Sequence, residues 1–273
     1  MNPPASFDQR TVDELTIGDE RSFRHVALYA DLKEILRRAR YPFQVLPRGP
    51  LARADRALLL NLTFWAADTG GDVLVDDHIE ADVVAHAAWH HLAARALAPE
   101  RGARPSVGAL FLGEAIASAF DVYLVGRVLG HAPRSTFLET QVPAMADATA
   151  AAGLSRRDFE KLLAELAADP DRAFTDLREL LYDATAALFA CGGSREGYAA
   201  LAALEGHRFS SLLPRYELSN WVLYARAYGG DLAGDPRARQ VDLALRGDGG
   251  GLGWLQTHWI SPALTVAPAG PSR

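Results

Sequence analysis

The stretch Ile79-Glu80-Ala81-Asp82-Val83-Val84-Ala85-His86-Ala87-Ala88-Trp89-His90-His91-Leu92-Ala93-Ala94-Arg95-Ala96-Leu97 spaces its apolar residues at helical intervals, follows the helix-starting carboxylates Asp76 and Asp77, and stops before Pro99. It reads as one amphipathic helix. At about 100° per residue, Ile79, Val83, His86, His90, Ala93 and Leu97 share a stripe. Two histidines therefore stand where a core helix would carry leucine. Being four residues apart, with about 6 Å of rise between them, both rings can reach one ion. Asp82 flanks the stripe one turn earlier and His78 lies toward its edge. His91 points to the far side and is expected to be exposed or beside a surface carboxylate.

The next helical run, Val107 to Leu129, ends at Gly130, the usual residue for a left-handed cap. Val107, Leu110, Phe111, Val125 and Val128 share a face with Glu114, Ser118 and Asp121. A carboxylate on an apolar helix has to be paired, protonated or metal-bound, because an isolated buried charge costs several kcal/mol or more. The same acids, with Arg127, argue against a membrane span despite sufficient length, so a buried core helix is expected. If the polar-bearing faces of the two helices meet, His86, His90 and Glu114 supply three ligands with a fourth position open, the arrangement of a catalytic zinc site. Asp82 or Asp121 is then the acceptor for the histidine nitrogen turned away from the ion. A metal-free network of the same histidines and carboxylates is the competing reading.

The chain has 273 residues, 49% hydrophobic and 23% charged, enough for one sizeable core or two modest ones. Its net charge of −6 offers no basic field for phosphates, so no nucleic-acid partner is expected. The single cysteine, Cys191, rules out an internal disulfide and a thiolate zinc cluster, and fits a reducing compartment. The opening Met1-Asn2-Pro3-Pro4-Ala5-Ser6-Phe7-Asp8 has neither a basic start nor an apolar run, so a cytoplasmic protein with no membrane attachment is expected. Arginine makes up nearly all of the basic residues and alanine is abundant, the bias of a GC-rich bacterial genome.

Residues 1–20 read as a flexible arm, Ser22 to Arg40 as a first helix, and Phe43 to Leu46 as a short strand. Strands or helix ends are expected over 58–65 and 72–75, around the turn 68–71. After His131 helices are expected over 135–150, 155–168, 171–190, 195–213 and 216–229, and the run Gly249 to Gly253 as a flexible loop. The fold class is mainly α with a small N-terminal sheet. The expected division is the arm, a lobe with the metal site over 21–131, and a helical lobe over 132–273.

His86-Ala87-Ala88-Trp89-His90, with Gly113-Glu114-Ala115-Ile116-Ala117 some two dozen positions later, resembles the zincin metallopeptidase pattern of the gluzincin type. That family pairs a His-Glu-x-x-His helix with a glutamate ligand on the next helix, often in a Glu-x-x-Ala setting, beside a small N-terminal sheet and before a helical lobe. The resemblance covers about residues 40–130 and implies a zinc site at His86, His90 and Glu114. It departs at Ala87, where the family carries its general-base glutamate. General acid–base help is worth about 10²–10⁴ in rate, so ordinary peptide hydrolysis is not expected. Glu80 lies about 10 Å earlier along the helix, too far to substitute. His207, Tyr216 and Tyr224 are the alternative proton carriers on the helical lobe.

Two functions from different classes follow. One is a zincin-like metal-binding protein, either an atypical metal-dependent hydrolase or an inactive one, acting on an unidentified peptide or small molecule. The other is a non-catalytic helical module that binds a protein or peptide, its His, Glu and Asp residues forming a metal-free ion-pair network. A carboxylate-bridged di-iron bundle ranks below both because its Glu-x-x-His signature is absent.

Overall fold

A computed structural model describes residues 7–46, 72–97, 105–228, 236–247 and 250–265. The expected strand over 58–65 and the turn over 68–71 lie outside them. The fold is mainly helical with a small N-terminal sheet component, as the sequence pattern predicts. The chain forms two compact units: residues 1–88 with 260–273, and residues 89–259. The division falls inside a helix, whereas the sequence reading set it at 131/132.

In the first unit, β1 (Asp8–Arg10) pairs antiparallel with β3 (Phe43–Val45), and β3 pairs in parallel with β4 (Val73–Leu74). A second small sheet joins β2 (Thr16–Gly18) in parallel to β5 (His78–Glu80). Residues 8–10 and 16–18, expected as part of a loose arm, are therefore held in sheets, with a tight turn over Val12–Glu14 between them. Asp8, Gln9 and Arg10 are exposed and polar, and what fixes them is backbone pairing, which leaves no apolar alternation to read. The first helix is shorter than Ser22 to Arg40: α1 spans Ala27–Ala39, preceded by a tight turn over Glu20–Phe23 that Asp19, at φ 51°, starts in a left-handed conformation. Tyr29, Leu32, Ile35 and Leu36 form its buried face.

α2 (Ala81–Leu97) is one continuous helix that begins in the first unit and ends in the second. Ile79 and Glu80, expected in its first turn, belong to β5 instead. In the second unit α3 (Val107–Leu129) is the central element. Ser106 caps it by accepting the Ala109 N–H at 3.1 Å. Its length and hydropathy suffice to cross a membrane, but 78% of its most apolar 18-residue window is buried inside the fold, as expected of a core helix. Around it pack α4 (Thr136–Ala151), α5 (Arg156–Ala168) and, along the greatest length, α6 (Pro170–Ala190).

α7 (Ser194–Ala202) stops eleven residues short of the expected 213, and the chain turns through His207 before α8 (Arg215–Tyr228). Past residue 230 the structure departs further from the sequence reading. α9 (Pro236–Leu245) packs on α3, and α10 (Gly251–Leu255) occupies part of the glycine run expected as a loop. Gly250, at φ 71°, makes the turn into α10, and a β-carbon on Gly251 would stand 3.2 Å from the Phe174 ring. Docking on α6 selects a helix that the local composition alone disfavours. A π-type turn (Gln256–Ile260) leads back to the first unit, where α11 (Ser261–Thr265) packs on α1.

Candidate metal centre

His86 and His90 face the same way because they lie one turn apart on the uninterrupted α2. The C-terminal half of α2 packs closely against α3 in the second unit. Trp89 meets Phe120 edge-on with ring centroids 5.3 Å apart, and Ala93 lies 3.3 Å from where a β-carbon on Gly113 would stand. Small residues at this crossing let the backbones approach, and the next residue along α3 is Glu114. The result is a His90 Nε2 to Glu114 Oε1 separation of 3.7 Å.

One ligand atom each from His86, His90 and Glu114 lies within 4.8 Å of the other two. Two ligands on a tetrahedral zinc, each at about 2.0–2.1 Å, stand roughly 3.4 Å apart. The 3.7 Å separation of His90 and Glu114 is longer than an ordinary hydrogen bond and close to that ligand edge. Small side-chain rotations would bring the widest pair into range. Glu114 is 3% exposed, so its charge sits where it has to be compensated, while both histidines are half-buried.

The other residues singled out from the sequence are placed as follows. Asp82 acts electrostatically on Tyr29, whose hydroxyl donates to Glu20 at 3.3 Å; burial, with these acids, pushes that phenol above its usual range. Asp121 is half-buried two turns further along α3, about 10 Å past Glu114. His91, expected to be exposed or beside a surface carboxylate, is half-buried, and loss of water, with Arg95 nearby, pushes its imidazole down to about 4. His78 is exposed and paired with Glu80 at 2.8 Å, which occupies the carboxylate nearest in sequence to a substitute base. Ala87 is 2% exposed and belongs to the core. Of the proposed proton carriers, His207 has Asp176, Arg208, Glu179 and Asp183 as its charged neighbours, and Tyr224 lies on α8.

The sequence reading missed Asp72. Its carboxyl is withdrawn from water at the start of β4, which pushes it up to about 6; it accepts a hydrogen bond from the Tyr41 hydroxyl at 3.2 Å and feels the His86 imidazole. Its backbone carbonyl also accepts the Gln44 N–H at 2.8 Å, which ties it to β3. In the sequence Asp72 closes a glycine turn before Val73, and nothing there signals a histidine fourteen residues later. The chain matches no family model, no curated protein and no solved structure.

Proposed function

We propose that the protein is a zincin-like metal-binding protein that holds a transition-metal ion, zinc by the character of its donors, at His86, His90 and Glu114. The observation that carries this reading is the convergence of two imidazoles from α2 and a buried carboxylate from α3 within 4.8 Å. Two nitrogen donors and one oxygen donor suit zinc better than calcium or magnesium, which take oxygen ligands almost alone. Zinc bound there would supply a Lewis acid for a carbonyl or phosphoryl oxygen of a peptide or small molecule.

The chain's own residues set the limit on catalysis. Ala87 leaves the helix without a carboxylate at the position next to His86 where the zincin pattern carries its general base, so any hydrolase activity is atypical and draws its proton acceptor from elsewhere. The setting that fits is cytoplasmic, with neither nucleic acid nor membrane as partner: the lone Cys191, the acidic net charge and the buried α3 support it.

Elemental analysis of purified, untagged protein tests the reading. A stoichiometric transition metal is expected, lost in His86→Ala and Glu114→Ala and retained in His91→Ala. Equal retention in all three variants rejects these ligands. Absence of metal from every preparation, with none taken up on titration, leaves the direct His90–Glu114 ion pair and a non-catalytic binding module as the better reading.

A further inference from the structure

In the first unit the tight turn Glu20–Phe23 and α1 border a cleft of about 360 Å³, within the size range of small-molecule sites. Phe23 and Tyr29, both buried, form an aromatic floor with ring centroids 5.2 Å apart. One wall is α1, where Lys33 and Arg37, four residues apart, stand on one face. The other is the turn, which carries Arg21 and Arg24. Residues three apart on a turn of this kind eclipse each other, so both guanidinium arms leave the same side of it. The turn is braced by its own contacts: the Ser22 hydroxyl donates to Asp19 at 2.5 Å, and the Val26 N–H donates to the Phe23 carbonyl at 2.9 Å.

The charges around the cleft do not balance. Glu20 Oε1 accepts from Lys33 at 2.5 Å and from the Tyr29 hydroxyl at 3.3 Å. Glu34 is held at both oxygens by Arg37, at 2.6 and 2.7 Å, and once more by Arg38 at 2.7 Å. Both acids are thus neutralised, and among the described residues Arg21 and Arg24 have no carboxylate partner. Four cations against two carboxylates leave the lining at +2, in a chain whose net charge is −6. A dianion cancels that excess, the aromatic floor favours one with an apolar body, and the acidity of the rest of the chain disfavours a polyanion. We propose that this cleft binds a small organic dianion, a phosphate monoester or a dicarboxylate. Arg21 and Arg24 grip its charged end, and its body lies over Phe23 and Tyr29. The arginine fork matches two oxygens of either head group. The site does not depend on the metal-binding reading above.

Calorimetric titration of the full-length protein with phenyl phosphate and with phenylsuccinate is the test, and the tighter of the two identifies the head group. Arg21→Ala and Arg24→Ala should each weaken binding about tenfold, the loss of one hydrogen bond to a charged group. Both residues are exposed and unpaired, so melting temperatures should not move. Ala30→Phe, which puts a ring into the cleft from α1 without altering its charges, should abolish binding of both probes. Inorganic phosphate and succinate, which lack the ring, should bind about tenfold more weakly than their phenyl counterparts. Arg157→Ala removes an exposed cation that does not line the cleft and should bind as wild type does. Failure of the wild-type protein to bind either phenyl probe overturns the proposal, whatever its metal content. So does a loss in Arg157→Ala equal to that in Arg21→Ala, which would mark general attraction to surface cations. Undiminished binding in Ala30→Phe, or ring-free ions bound as tightly as the phenyl probes, overturns it as well.

Discussion

Ala93 on α2 stands 3.3 Å from the position a β-carbon on Gly113 of α3 would take, one residue before Glu114 and three after His90. This contact sets how close the two helices come. It therefore controls whether an imidazole on one and a carboxylate on the other can share an ion.

Gly113→Val puts three carbons where there is room for less than one. Overpacking of this kind costs about 1–3 kcal/mol. The strain is relieved by separating α2 from α3, which lengthens the 3.7 Å spacing of His90 and Glu114. The expected outcome is a lower melting temperature together with a metal affinity reduced roughly tenfold or more, a loss typical of a loosened supporting shell. Gly113→Ala should be far milder, because better helix propensity, worth about 0.5–1 kcal/mol, offsets a contact that is tight but not impossible. Calorimetry and chelator competition on the pair of variants check this; an unaltered affinity in Gly113→Val would show that the crossing does not govern the site.

What the sequence made legible follows from how residues are positioned. His86, His90 and Glu114 were readable because a helix converts spacing into facing: four residues on one segment and one polar residue on an apolar neighbour suffice. Asp72 was not, because its place beside Tyr41 is made by β3 pairing with β4, a tertiary fact with no local period. β1 was hidden for the same reason. α10 was obscured by glycines that favour a loop in isolation but fit against Phe174 in the fold. Arg178 is a further case: an arginine on a helix is ordinarily expected in water, yet this one is fully buried.

Arg178 on α6 donates through Nη1 to Asp242 on α9, and Asp242 also accepts from Arg246 Nε at 2.9 Å. Arg246 in turn donates to Asp183 at 2.6 Å. Removing the shared acid in Asp242→Ala takes the hydrogen-bonded carboxylate from a buried guanidinium and leaves it with Glu179, 3.3 Å away, a change worth up to about 3–5 kcal/mol of stability. Adding Arg178→Met removes the under-compensated charge and should restore much of that loss, since a buried ion pair is often no better than hydrocarbon of similar volume. Urea unfolding of the single and double variants measures both steps. A double variant no more stable than Asp242→Ala would mean that the burial cost of Arg178 is not what the single substitution exposes.

His207 supplies the pH-dependent prediction. Its Nδ1 accepts the backbone N–H of Phe209 at 3.2 Å, which requires that nitrogen to be without a proton. Loss of water pushes the imidazole below its ordinary value, outweighing the nearby Asp176. With a folded value below the unfolded one, the unfolded chain takes up the proton first as pH falls. Stability from this residue is thus complete above about pH 6.5 and declines as pH drops below it. His207→Asn can keep an acceptor for the Phe209 N–H without titrating. Its stability should be flatter than wild type between pH 7 and pH 5 in melting experiments, with the two proteins closest in slope above pH 7. A wild-type stability that rises on acidification through this range, with the slope abolished in the variant, would reverse the sign assigned to His207.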